Sequence, residues 1–322
     1  MKVITNAKYG SPSVLEIKDV NKISPKYNQI LVKVKYSSVN RTDVGFLRGK
    51  PFVTRLFTGL LKPKYPSLGC EFSGTVSEVG NDVSLFKVGD RVFGFDDHNF
   101  GGYSEYKLIN EDEMIEEIPS NISYKQAAIS LEGSHYALFF VYKISKPNAK
   151  VFVNGATGAI GSAAVQLLKA MGHYVEASCT TEQLTTIEAL GVDKVIDWQK
   201  NDISKIASKC DVYLDSVGKS SFKEARKILN PDGLYMSSEL GKYGQNPLLS
   251  LINPVQRLFT KQNIIFPIPK TRKQEAETIK KYLSTGKFDP LLDKQYEMEE
   301  IPLAFRYVES GKKVGNVVIK IS

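Results

Sequence analysis

At 322 residues the chain is too long for one small core and long enough for two domains. Hydrophobic residues make up 42% and charged residues 24%, and no run nears the roughly 18 apolar residues of a membrane-spanning helix, so no such helix is expected. The net charge of +8 comes from scattered lysines and arginines without a helix-turn-helix, zinc-finger or RNA-binding pattern, so specific nucleic-acid binding is not expected.

Residues 30–36 alternate with period two, as a half-buried strand does. Residues 71–79 form a second expected strand, and the turn 87–90 leads into a third at 91–95. Closely spaced strands with glycine turns predict a β-barrel-like domain over residues 1–122. The texture then changes. Residues 124–131 and 134–142 read as helices, with Ser123 as N-cap. Strands are expected at 151–154, 173–179, 194–197, 211–215, 233–237 and 263–266, with helices at 161–171 and 182–190 between them. Such alternation predicts a doubly wound parallel sheet over residues 123–269. Helices at 272–284 and 303–310 and a strand at 315–321 follow, and residues 270–322 are returned to the first domain.

Cys70, Cys179 and Cys210 are odd in number and far apart, which argues against a disulfide scaffold. The first residues also lack the apolar core of a secretory signal, and a cytoplasmic location is the expectation.

The strongest chemical signal is the strand 151–154 running into Gly155-Ala156-Thr157-Gly158-Ala159-Ile160-Gly161, where a helix opens. Glycines let backbone N–H groups approach a pyrophosphate, and a helix N-terminus adds partial positive charge. The spacing is G-x-x-G-x-x-G, not the commoner G-x-G-x-x-G, but its context is that of a dinucleotide site. The second strand ends Ser178-Cys179-Thr180-Thr181 without the carboxylate of an NAD site, and Ser178, Thr180 and Thr181 are the cofactor contacts expected there. NADPH is therefore favoured and NADH kept as the alternative, because Glu182 follows at once and opposes a 2′-phosphate.

Several short segments carry a family resemblance in their order and spacing: 38–43, 65–80, 88–94, 101–106, the glycine turn, 214–218 and 315–319. Together they resemble the zinc-free quinone oxidoreductase branch of the medium-chain dehydrogenase/reductase superfamily. The resemblance implies a GroES-like catalytic domain made from both ends of the chain, with a Rossmann domain inserted between them. It further implies an active site in the cleft, a small-molecule electron acceptor and a homodimer. Asn40 is expected beside the nicotinamide with its amide donating to the acceptor's oxygen, or is simply an asparagine at a strand end. Asp43 is expected to position that loop, or to cap a helix. Ser134 matches a hydroxyl near the cofactor, and Val217, Gly218 and Asn316 are carried over as cofactor contacts.

Zinc alcohol dehydrogenases place a cysteine where this chain has Asn40 and a histidine where it has Cys70, so no metal is expected. Hydride delivery to a quinone or other conjugated carbonyl needs no Lewis acid, unlike oxidation of a simple alcohol. A zinc-independent enoyl or alkenal reductase, and a non-catalytic NADP(H)-binding protein, remain as rivals. Residues 46–64 resemble an insertion found in some members, read as a surface segment, an acceptor-pocket wall or a membrane contact. The sequence names no proton donor.

Overall fold

The computed structural model describes residues 1–241, 245–258, 260–267, 269 and 271–322. They fall into two compact units, Met1–Glu132 with Thr271–Ser322, and Gly133–Lys270. The expected boundary at residue 122 lies inside the first unit. Ser73 donates to the Tyr124 carbonyl and Ala128 and Ile129 pack against Val318, tying the segment after Ser123 to that unit.

The first unit opens with a hairpin of β1 (Lys2–Thr5) and β2 (Glu16–Asp19), which the sequence pattern did not reveal. β3 (Gln29–Val39) pairs antiparallel with β4 (Glu71–Val79), β4 with β5 (Arg91–Phe95), and β5 with β7 (Ile115–Glu117). β6 (Tyr106–Asn110) pairs with the outer half of β3. Alternating apolar residues bury one face: Ile30, Val32 and Val34 join Phe72, Val76 and Val92 in a common core. At the far end of β3 the chain turns into the helix Arg41–Arg48, with Asn40 as N-cap.

Among the described residues of the second unit six strands form one parallel sheet, ordered β10-β9-β8-β11-β12-β13. They are β8 (Lys150–Asn154), β9 (Tyr174–Cys179), β10 (Lys194–Asp197), β11 (Cys210–Asp215), β12 (Leu229–Ser237) and β13 (Asn263–Ile265). The order reverses between β9 and β11 around β8, the position where doubly wound sheets bind ligands. The expected doubly wound sheet is present. The helix Ala159–Ala170 starts two residues before its expected start at 161, because Gly158 is its N-cap. An unexpected helix, Gln245–Gln256, precedes β13. Pro247 and Pro254 hide it from the pattern.

The chain then returns to the first unit through the helix Lys273–Ser284 and β14 (Leu292–Glu297). β15 (Asn316–Lys320) pairs antiparallel with β3 and parallel with β14. No helix among the described residues is long and apolar enough to cross a membrane.

Candidate active site

The turn after β8 shows why it needs three glycines, each for a different reason. Gly155 has φ +83°, and a Cβ there would meet Val217 Cγ1 at 2.3 Å. At Gly161 a Cβ would lie 2.2 Å from the Gly155 carbonyl oxygen, so this glycine lets the helix pack onto the turn. Gly158 is different: a Cβ there meets nothing within 4 Å. The space over the start of the helix Ala159–Ala170 is open, and the first backbone N–H groups of a helix have no intrahelical partner. Ala156 is buried beneath the turn, whereas Thr157, Ala159 and Ile160 are half-buried around it.

Strand-end side chains brace this turn. Asn154 Nδ2 donates to Asp215 Oδ1 at 3.0 Å, joining the ends of β8 and β11. The same carboxylate oxygen accepts from the N–H groups of Val217 and Gly218 at 3.3 and 3.1 Å. Ser178 departs from its expected cofactor contact. It is fully buried; its hydroxyl donates to Asn154 Oδ1 at 2.9 Å and accepts from the Gly155 N–H at 3.2 Å. Ser178 therefore shapes the turn from below and presents nothing to a ligand. Thr180 and Thr181 begin the short turn after β9, and Thr181 Oγ1 donates to Asp197 Oδ2 at 2.6 Å. Ser134 lies buried in the helix Glu132–Val141.

In the first unit, Asn40 and Asp43 lie within a buried polar cluster that spacing alone could not assemble. Asp43 accepts from the Asn40 N–H at 2.9 Å and the Gly69 N–H at 3.3 Å, so one carboxylate both caps the helix and holds the neighbouring loop. Burial, then the nearby charge of Glu132, pushes its carboxyl up to about 8. Asn40 Nδ2 donates to Glu132 Oε2 at 2.9 Å and to Ser38 Oγ at 3.3 Å, while Oδ1 accepts from Lys313 Nζ at 3.2 Å. Glu71 accepts from the Ser38 hydroxyl at 2.9 Å and from the N–H groups of Leu131 and Glu132. Burial lifts the Glu71 and Glu132 carboxyls above their usual range, and lifts the Cys70 thiol well above its own.

Glu71, Glu132 and Lys313 are the residues that sequence reasoning missed as members of this cluster. Glu71 opens an expected strand, Glu132 lies 92 positions from Asn40, and Lys313 sits in an ordinary Lys-Lys pair. Asn316 is not presented as expected: its Nδ2 donates to the Leu291 carbonyl at 3.2 Å, and it is 3% exposed. The insertion contributes Phe46, Thr58 and Pro63 to a small cavity that is also lined by Tyr65 and Phe100. The carboxamide of Asn6 borders that cavity without a hydrogen-bond partner.

Residues 26–120 match the alcohol dehydrogenase GroES-like domain, and residues 190–319 match the zinc-binding dehydrogenase family. A quinone oxidoreductase from Pseudomonas aeruginosa is 30% identical over 247 residues, covering 73% of this chain and 72% of that protein. The chain belongs to the quinone oxidoreductase branch of the medium-chain dehydrogenase/reductase superfamily. Another relative of this quinone oxidoreductase-branch chain, the chloroplastic NADPH-dependent alkenal/one oxidoreductase of Arabidopsis thaliana, is 26% identical over 335 residues, covering 99% of this chain and 79% of that one. The quinone oxidoreductase structure from Coxiella burnetii superposes with a TM-score of 0.87 at 25% identity, covering 100% of this chain and 99% of its own.

One matched family carries zinc in its name, but the residues around Asn40 in this member of the quinone oxidoreductase branch do not fit a metal. The Asn40 carboxamide is engaged by three protein groups, one of them an ammonium. Burial and the nearby carboxylates, Asp43 first, favour the neutral thiol of Cys70, which cannot ligate until it loses its proton. Among the described residues no group of three or more His, Cys, Asp or Glu is placed to hold a metal ion.

Proposed function

We propose that this chain is an NADPH-dependent reductase that delivers hydride to a quinone or another conjugated carbonyl without zinc. One observation carries the acceptor class: the polar cluster around Asn40 holds a cation, Lys313, and among the described residues no group of three or more His, Cys, Asp or Glu is placed to hold a Lewis-acid metal. A conjugated acceptor is already electrophilic at carbon, so positioning and hydrogen bonding of its oxygen suffice. A simple alcohol lacks that electronic activation, and its oxidation is the reaction for which a Lewis acid matters most.

The residues at the turn fit a dinucleotide. The opening over Gly158 leaves room for a pyrophosphate against the helix start, while Gly155, Ala156, Thr157, Ala159, Ile160 and Gly161 shape the backbone beneath it. Val217 and Gly218 border that turn. Bound reduced nicotinamide would supply the hydride; the protein's share is to bind, orient and exclude water. Preference for NADPH over NADH rests on Thr180 and Thr181 at the end of β9. The nearby Asp197 already accepts from Thr181, and the side chain of Lys200, 67% exposed and 3.9 Å from Asp197, is a cation on that side whose charge would favour a 2′-phosphate.

A homodimer is the proposed assembly. The helix Gln245–Gln256 turns Asn246, Ser250 and Asn253 inward to hydrogen bonds, and leaves Leu248, Leu251, Ile252 and Val255 exposed beside the end strand β13. A second copy presenting the same face covers both aliphatic rows. A cytoplasmic location is read from three buried, unpaired cysteines.

The test is oxidation of NADPH by the purified protein against quinones, enones, enals, aldehydes and alcohols. Turnover with conjugated acceptors alone is the expected result. Strong alcohol oxidation would overturn the reading. Tight NADPH binding with no turnover on any acceptor would point to the binding-protein alternative.

A further inference from the structure

Asn40 has no donor left for an acceptor. Both of its amide hydrogens are committed, to Glu132 at 2.9 Å and to Ser38 at 3.3 Å, and both partners are buried. The group bonded to the other end of the same carboxamide is Lys313. Its Nζ lies 3.2 Å from Asn40 Oδ1 and also donates to the Gly315 carbonyl. An ammonium has three hydrogens, so one remains beyond these two bonds. As a residue Lys313 is half-buried, whereas Asn40, Asp43, Glu71 and Glu132 around it are buried.

We propose that Lys313 is the catalytic acid, placing its third N–H on the carbonyl oxygen of the acceptor and giving that oxygen a proton. The assignment rests on the reductase reading above and moves the role expected of Asn40 to its neighbour, leaving Asn40 to position the ammonium. The step balances as follows. Reduced nicotinamide, when bound, would supply a hydride with its electron pair to form a C–H bond at the carbon β to the carbonyl, leaving the nicotinamide oxidised. The alkene π pair moves to the adjacent carbon–carbon bond, and the carbonyl π pair moves to oxygen. The Lys313 N–H bond breaks, its proton joins that oxygen to give the enol, and water returns a proton to the amine.

The backbone fixes where this ammonium sits. A Cβ at Gly315 would fall 2.1 Å from the Leu291 carbonyl oxygen, so the turn into β15 packs directly on the segment leading to β14. Asp293 Oδ2 then accepts from the Val314 N–H at 2.9 Å and from the Tyr307 hydroxyl at 2.8 Å. The charges facing Lys313 come from four elements: Glu132 from the helix Glu132–Val141, Arg41 from the helix Arg41–Arg48, Asp293 from β14 and Glu71 from β4. Burial lowers the ammonium most, Arg41 lowers it further, and Glu132, Asp293 and Glu71 support it; the balance brings it down to about 8. An acid poised there is protonated at neutral pH and still gives up its proton readily.

A lysine that merely neutralised Glu132 would give the same static contacts, so the test reads a pH profile. NADPH-dependent reduction of an enone is followed from about pH 6 to about pH 10 for wild type, Lys313→Met and Lys313→Arg, with NADPH affinity and thermal unfolding as controls. Wild-type kcat should fall about tenfold per pH unit above about 8. Lys313→Met should lose on the order of 10²-fold in kcat, keep its NADPH Kd and lack the alkaline fall. Lys313→Arg, always charged, should retain part of the rate with a flat profile, and it decides the matter if the methionine variant does not fold. An alkaline limb shared by the wild type and either variant, or kcat of Lys313→Met within threefold of wild type, overturns the assignment alone. A wild type without turnover overturns the reductase reading and this assignment with it.

Discussion

Gly158→Ala separates a glycine kept for a ligand from one kept for the fold. The backbone there is extended, φ −76° and ψ 168°, which any residue adopts, and the added methyl meets nothing within 4 Å. Reduced freedom of the unfolded chain favours alanine by about 0.4–1 kcal/mol, whereas alanine is a poorer N-cap than glycine by a similar amount. The two nearly cancel, so unfolding without cofactor should shift by no more than a few °C. Binding should behave otherwise. A methyl standing where the pyrophosphate approaches would lengthen one or two charge-assisted hydrogen bonds from backbone N–H groups, each worth about 1.5–3 kcal/mol. A loss of about 3 kcal/mol corresponds to roughly a hundredfold rise in Kd. Calorimetric titration with NADPH, beside thermal unfolding of the cofactor-free protein, measures both halves. A variant that binds NADPH within threefold of wild type would refute the placement of the pyrophosphate. One that melts far lower would show that the space over the turn is filled by the protein itself.

Gly161→Ala should do the reverse, because its methyl would press on the Gly155 carbonyl oxygen at 2.2 Å and Ser216 Oγ at 2.7 Å; a loss of about 1–3 kcal/mol in thermal unfolding is expected, and an unchanged melting point would refute the packing argument. Asp43 makes stability depend on pH. The unfolded carboxyl loses its proton near 3.8 and the folded one near about 8. Between those values the folded state holds more protons, so this group's contribution weakens folding as pH rises, by at most about 1.4 kcal/mol per pH unit. Urea unfolding between about pH 5 and about pH 8 should show a shallower decline for Asp43→Asn, and parallel curves would contradict the assignment. Elemental analysis of protein purified without chelator should find zinc well below one per chain; one zinc per chain, with activity lost on its removal, would overturn the metal-free reading.

The second unit was legible because its signals are local. A run of apolar β-branched residues, three glycines at fixed spacing and an Ala/Leu-rich helix lie within about twenty consecutive positions, and each constrains the next. Where the reading failed there, a neighbouring strand intervened: Ser178 sits at the expected strand end, but the carboxamide of Asn154 on β8 claims its hydroxyl. The helix Gln245–Gln256 escaped notice because two prolines interrupt it and its polar side is the buried one.

By itself the amino-acid sequence determined the glycine-rich turn, the sheet that presents it and the absence, at positions 40 and 70, of the cysteine and histidine that zinc alcohol dehydrogenases place there. Those depend on nearest neighbours and on side-chain chemistry, both of which are written in the chain. Only the tertiary structure decided what Asn40 can do. Its partners Ser38, Glu132 and Lys313 lie 2, 92 and 273 positions away, brought together by the pairing of β3 with β4 and β15. A carboxamide has few hydrogen bonds to give, and whether any remain for a ligand depends on which distant groups have already taken them.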